Sequence, residues 1–243
     1  MHNVLLKFTF EDQEEIDYDT AESLLGCFCH NGQLIEYFHF PVIKDNTLIY
    51  NGVLIKPDAL ETRYYTVTAR QWIQRFKEHY HITFDYEIIA QLSSRTVDNI
   101  NDVQGFILYE SGISPLRTLE TFYNVPLYLL PPTSIDGENY HNIIAWERDY
   151  EAISRIWFRG HVDEQYFYDQ LTSYKSGLSE QGMELCKLIS SLTNKDCYYH
   201  LFNDPNPDVP DFENCPKCNS PWKLPNEIFD TFKYKCTNCF LIS

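Results

Sequence analysis

Cys215-Pro-Lys-Cys218 and Cys236-Thr-Asn-Cys239, with 17 residues between them, stand close to the end of the chain. Each Cys-x-x-Cys turns the backbone so that two sulfurs point to one side, and two such pairs at this spacing mark a four-cysteine metal site. Four thiolates suit a tetrahedral zinc ion, and a closed set of ligands leaves no position at which water could be activated, so the expected role is structural. A redox dithiol or an iron–sulfur cluster is the competing reading. Phe232-Lys-Tyr-Lys-Cys236 alternates toward the second pair as a ribbon strand does, and Pro221, Trp222 and Leu224 supply a small apolar contact, which favours zinc. About thirty residues bury too little core to fold unaided, so the metal is expected to fold this module. Lys217, Lys223, Lys233 and Lys235 face only three acids in 213–243. A zinc on four thiolates adds about −2, which leaves no basic footprint for nucleic acid.

Working back from the ribbon, residues 203–214 hold three prolines and four acids and no base, the composition of an extended linker. Residues 197–202 read as a closing strand. Ahead of them, 139–159, 161–173 and 179–192 carry helical patterns, with Trp146, Tyr150, Ile153, Ile156 and Trp157 forming a buried stripe. The first part of the chain reads mainly as strands. Residues 4–10 open it, and Asn31-Gly32 and Asn51-Gly52 each predict a tight hairpin, between 24–30 and 33–40 and between 47–50 and 53–56. The first hairpin would place Cys27 and Cys29 on one face of a strand. Residues 68–79 predict an amphipathic helix, and 105–109 and 125–130 two more strands around Ser114-Pro115. The fold class is α+β: a mainly antiparallel N-terminal sheet domain with helices (1–135), a helical segment packed on it (136–202), and an acidic linker with the C-terminal zinc ribbon (203–243).

With 44% hydrophobic and 16% aromatic residues, the 243-residue chain has ample material for a folded core. It carries neither an apolar run of membrane-spanning length nor a signal-peptide pattern, so a soluble cytoplasmic protein is expected, in keeping with cysteines in metal-ligand or apolar contexts. The formal net charge is −16, which disfavours nucleic acid as a partner. The acids are unevenly placed. Residues 8–43 contain no Lys or Arg, yet hold Glu11, Asp12, Glu14, Glu15, Asp17, Asp19, Glu22 and Glu36. This window is either a solvated acidic loop or a docking face for a basic protein, and the first seven acids are the candidate partner-binding residues. Cys27, Cys29 and His30 have the residue types of a thiolate–imidazole pair, although neighbours of this kind more often simply pack. The sequence has no phosphate loop, nucleophile elbow or second metal motif. A catalytic role is therefore not expected.

Gly182-Met-Glu-Leu-Cys186, the run Thr193-Asn-Lys-Asp-Cys-Tyr198-Tyr199-His-Leu-Phe202, the two cysteine knuckles and Pro221-Trp222-Lys-Leu224 together resemble bacterial zinc-ribbon-containing proteins of unknown function. Asn31-Gly32-Gln33, Ser114-Pro115-Leu116-Arg117 and Val125-Pro126-Leu127-Tyr128 extend the resemblance over most of the chain. That family is described as a candidate nucleic-acid-binding one. Its pattern carries a further cysteine pair just after the Ser-Pro-Leu-Arg segment, where this chain has Thr118 and Thr121, so the resemblance implies a second metal site that is absent here. Two functional expectations follow. The first is a non-catalytic binding protein, such as an inhibitor or immunity partner that neutralises a basic toxin through an acidic surface. The alternative is an RNA- or DNA-binding or translation-associated protein that uses the ribbon and exposed aromatics.

Overall fold

A computed structural model of the chain describes residues 1–12, 17–204 and 213–243. They form two units, each assembled from two stretches of sequence: Met1–Asp98 with Pro126–His141, and Asn99–Val125 with Asn142–Ser243. This differs from the three consecutive pieces expected from the sequence. The physical reason is strand pairing at long range, which joins 105–108 to the C-terminal region and is invisible to local pattern. The expected linker at 203–214 lies largely outside the described residues.

In the first unit β1 (His2–Phe10), α1 (Tyr18–His30), β2 (Leu34–Tyr37), β3 (Val42–Lys44), β4 (Thr47–Leu54), α2 (Val67–Arg75) and β5 (Ile82–Gln91) follow in order. The sheet runs β2-β4-β1-β5, with β3 also on β4, and every pairing is antiparallel. Leaving β3 aside, this is the split β-α-β-β-α-β arrangement of ferredoxin-like folds. Val4, Leu6, Phe8 and Phe10 alternate into the core along β1. Phe8 meets Phe76, just past α2, and Phe84 of β5, while Phe28 of α1 also meets Phe84. Both helices therefore cover the same face of the sheet. The other face presents Asn3, Leu5, Lys7 and Thr9 of β1 and Thr47, Ile49, Asn51 and Val53 of β4, all half-buried or exposed.

Neither Asn-Gly pair makes a hairpin. Residues 18–30 are helical because Ala21, Leu24, Leu25 and Phe28 recur at three and four and are all buried, and because Asp17 caps the start with its carboxylate. Asn31-Gly32 closes that helix. Gly32 has φ +66°, its N–H donates to Cys29 O at 3.0 Å, and the Gln33 N–H donates to Phe28 O at 3.0 Å, the two bonds of a Schellman end. Cys27 and Cys29 thus project from different sides of a helix, not from one strand face. Asn51-Gly52 lies inside the continuous β4, where a Cβ on Gly52 would come within 3.0 Å of both Leu34 Cδ1 and Leu6 Cδ1. The glycine serves close packing, and the hairpin loop falls at Asp45-Asn46, where Lys44 pairs with Thr47 and Asp45 has φ +55°. Residues 125–130 are not a strand either: Leu127–Leu129 form a 3₁₀ turn after Pro126, which cannot donate to a ladder.

The second unit contains β6 (Gly105–Leu108), β7 (Leu116–Thr118), α3 (His141–Arg159), α4 (Glu164–Thr172), α5 (Gly177–Thr193), β8 (Asp196–His200), β9 (Lys223–Ile228), β10 (Phe232–Cys236) and β11 (Leu241–Ile242). Its sheet runs β7-β6-β8-β11-β10-β9. β8 is not a closing strand but a central one, parallel to both β6 and β11. The three expected helices are present. Trp146 of α3 is wholly buried, donating its Nε1–H to Leu178 O at 3.2 Å and meeting Tyr150 and Tyr199. The α+β class stands, with a mainly antiparallel N-terminal sheet, several helices, a second sheet and a C-terminal cysteine cluster.

Candidate metal centre

The second unit's sheet ends in the cysteine cluster. At the first knuckle the Cys215 N–H donates to Ser220 O at 2.9 Å and the Asn219 N–H to Cys215 O at 2.8 Å, with Asn219 left-handed at φ +58°. The second is built alike: Cys236 ends β10, Phe240 is left-handed at φ +54°, and Leu241 returns opposite Cys236 as the start of β11. One residue just past each second cysteine thus reverses the chain and brings its two sulfurs together. All four Sγ atoms lie within 4.8 Å of one another, and Cys218 and Cys236 are 3.6 Å apart. Zinc–sulfur bonds of about 2.3 Å in a tetrahedron require sulfurs about 3.8 Å apart, so the cluster can hold a metal ion and its donor set fits zinc. Cys215 and Cys236 are buried, Cys239 is half-buried, and Cys218 is exposed.

The ribbon is not an appendage folded by metal alone. Phe232 and Ile242 share a core with Ile107 of β6 and Tyr198 of β8, and Leu241 and Ile242 pair in parallel register with Tyr199 and His200. Trp222 stacks on Tyr234 with centroids 5.1 Å apart. β9, β10 and β11 therefore extend the unit's own sheet.

A third turn has the same shape without thiolates. The Thr118 N–H donates to Tyr123 O at 3.0 Å, the Phe122 N–H donates to Thr118 O at 3.0 Å, and Phe122 is left-handed at φ +58°. Here the Thr118 and Thr121 hydroxyls, 2.7 Å apart, bond to each other. These are the positions at which the resemblance implied a second cysteine pair. Two mutually bonded hydroxyls offer no soft ligand to zinc.

Residues 101–202 match the family model of a domain of unknown function, DUF2310, and residues 212–243 that of a second domain of unknown function, DUF8594. Two Haemophilus influenzae proteins, both described as uncharacterized, are similar to the chain over 158 residues. One is 29% identical, covering 62% of this chain and 75% of its own length; the other is 28% identical, covering 62% and 59%. The chain thus spans less than two thirds of the second relative. No solved structure matches significantly. These descriptions name no ligand or activity, and nothing in them supports nucleic-acid binding.

Among the described acidic candidates, several already have partners within the first unit. Glu11 and Asp12 follow β1, and Glu11 Oε1 lies 3.9 Å from His81 Nδ1. Glu14 and Glu15 lie outside the described residues. Asp17 accepts the Asp19 and Thr20 N–H groups as the cap of α1, and Asp19 sits in that helix's first turn, where a negative charge suits the dipole. Glu22 is within 3.5 Å of the Tyr50 hydroxyl and 3.7 Å of His39 Nδ1. The Cys27–His30 reading gains nothing: burial pushes the Cys27 thiol up, away from the thiolate, and the His30 ring lies 4.9 Å from His141.

Two features went unread in the sequence. The first is Glu147 of α3. Burial, with Glu110 and Glu151 nearby, pushes its carboxyl up to about 7, while the N–H groups of Ser111, at 3.4 Å, and Gly112 oppose the shift. Its signal was a carboxylate at core spacing, Ile143-Glu147-Tyr150, in a helix otherwise read as an apolar stripe. The second is an exposed apolar run in the first unit. Phe38 is 70% and Phe40 84% exposed, and Val42, Ile43 and Ile89 are exposed beside them. A groove of about 470 Å³ runs along Phe38 and Phe40, with Val53 and Ile89 as further apolar lining and Glu36, His39, Asn3 and Asn51 among its polar groups. Among the described residues no helix is long and apolar enough to cross a membrane.

Proposed function

We propose that this chain is a non-catalytic binding protein, held in shape by a structural zinc ion, that recognises a basic partner protein through the apolar groove of its first unit. In its most specific form the reading is an inhibitor or immunity protein that neutralises a basic toxin. The observation that carries it is the pair Phe38 and Phe40, two large aromatic rings left in solvent at the edge of a sheet. Exposed aromatics around a groove are the usual anchors of protein recognition. Glu36 in the groove and a chain charge of −16 would select a partner of opposite sign and speed its approach.

The nucleic-acid alternative draws less support from the same unit. Sheets that read single-stranded RNA carry aromatics on their central strands, on which bases stack. Here the open face of β1 and β4 offers Leu5, Ile49 and Val53 instead. Co-purification from the native host at low and high salt tests the proposal, using the wild type and a Phe38→Ser/Phe40→Ser variant. The expected result is a basic protein retained at low salt, released at high salt and not retained by the variant. Recovery of nucleic acid, or of a partner indifferent to both salt and variant, contradicts it.

A further inference from the structure

We infer that Cys218 is an oxidation site through which a peroxide opens the metal centre and releases the ribbon strands from the second unit's sheet. Thiolates, not thiols, attack peroxides, and a bound zinc ion keeps all four cysteines as thiolates. Access then decides which reacts. Cys215 and Cys236 are 1% and 3% exposed and Cys239 is half-buried, whereas Cys218 stands in solvent at the corner of the first knuckle. The other four cysteines compete poorly. Cys186 and Cys197 are buried, and Cys27 and Cys29 are half-buried with no metal to ionise them.

The chemistry closes within the cluster. The Cys218 thiolate attacks one peroxide oxygen, the O–O bond breaks, and hydroxide leaves, giving a sulfenic acid at Cys218. The Cys236 thiolate, 3.6 Å away, then attacks the Cys218 sulfur and expels the second hydroxide as the disulfide forms. Two thiolates have lost two electrons, and one peroxide has become two waters with two protons from solvent. Zinc, reduced to two protein ligands, leaves as the hydrated ion.

The sheet makes this loss felt beyond the knuckle. β11 is two residues long and joins β8 through few bonds, among them Tyr199 N–H to Phe240 O at 2.8 Å and Leu201 N–H to Ile242 O at 2.9 Å. A strand that short has little hold of its own, and it begins only two residues past the ligand Cys239. Once the second knuckle is free, β11 leaves β8 and uncovers Tyr198 and Ile107.

The test uses the full-length zinc-loaded protein. Its metal content is measured first, so that failure of the metal centre and failure of the Cys218 assignment are distinguishable. Hydrogen peroxide is added up to one equivalent, zinc release is followed with a chromophoric chelator, and samples quenched with an alkylating agent are mapped by mass spectrometry. The expected result is Cys218 oxidised about tenfold faster than Cys27 or Cys29, a Cys218–Cys236 cross-link, zinc released in step with it, and faster amide exchange at 196–200. Dithiothreitol with added zinc should restore the original exchange. Zinc released while Cys218 is intact, oxidation first at Cys27 or Cys29 with zinc retained, no reaction at one equivalent, or exchange at 196–200 unchanged after oxidation would each overturn it.

Discussion

The two units solve the problem of a sheet edge in different ways. In the first, β1 and β4 are held on both sides by antiparallel neighbours, and the core of Leu6, Phe8, Leu24, Phe28 and Phe76 closes with no cluster of metal ligands among the described residues. In the second, the described sheet continues past β8 through a two-residue parallel strand that begins two residues after the turn Cys236-Thr-Asn-Cys239. The lesson is that the same metal should be decisive for one sheet and immaterial to the other. It also relocates the ribbon: not a tethered module, but the last three strands of a six-stranded sheet.

The largest effect that could break this contrast is removal of a ligand. Cys236→Ala should abolish stoichiometric zinc binding and remove a term on the order of 10 kcal/mol from the ribbon, leaving β9 to β11 unfolded. Nuclear magnetic resonance would read this as loss of dispersed signals from 223–242 while those of β1 and β4 persist. Collapse of both sets would break the contrast.

A packing change within the second unit comes next. A Cβ on Gly182 would lie 2.3 Å from Tyr199 Cε2 and 2.9 Å from Trp146 Nε1, both in the core that fixes β8. Gly182→Ala should therefore destabilise this unit by about 3 kcal/mol, seen as a lower denaturation midpoint by tryptophan fluorescence, and should leave zinc stoichiometry at one. An unchanged midpoint would show that α5 is not packed as closely as this.

Glu147 gives a smaller effect with a defined sign. Its carboxyl is pushed from 4.5 up to about 7 in the folded state, so the native protein holds the proton more tightly than the unfolded chain. That contribution to stability is fully present below about pH 4.5 and is lost as pH rises toward 7. Glu147→Gln keeps an oxygen for the Ser111 and Gly112 N–H groups but has no proton to lose. It should match the wild type near pH 4.5 and exceed it by about 2 kcal/mol at pH 8, measured by urea denaturation at the two pH values. An equal difference at both would show that Glu147 does not titrate in this range.

The smallest expected effect falls on the first unit. Phe38→Ser/Phe40→Ser removes rings that are already in solvent and should change stability by less than about 0.5 kcal/mol. A large loss would mean that these rings support the fold rather than a partner.

Much of this could be read in the chain because it is local. Cysteine spacing singled out the four cysteines that the fold brings together, and period alone located β1, α2, β6, α3, α5, β8 and β10 to within a few residues. Asn31-Gly32 misled because the same pair with a positive-φ glycine ends a helix as readily as it turns a hairpin, and the deciding evidence, Leu24, Leu25 and Phe28 all facing one core, needs the fold. The π-turn Phe76–Tyr80 falls mostly inside the expected helix 68–79, and all of β5 went unread although Ile82, Phe84, Tyr86 and Ile88 alternate with Thr83, Asp85 and Glu87 as a half-buried strand does. The parallel pairing of β8 with β6 and β11 leaves no trace in sequence at all. Among the site residues the thiolates were legible and the groove was not, because exposure of Phe38 and Phe40 is a property of the assembled sheet.

Amide hydrogen exchange with and without a strong zinc chelator distinguishes a shared sheet from a separate appendage. Chelation should expose 196–200, 232–236 and 241–242 together while 2–10 and 47–54 keep their protection. Loss confined to 213–243 with 196–200 still protected would contradict it, and would return the ribbon to the status of a separate appendage.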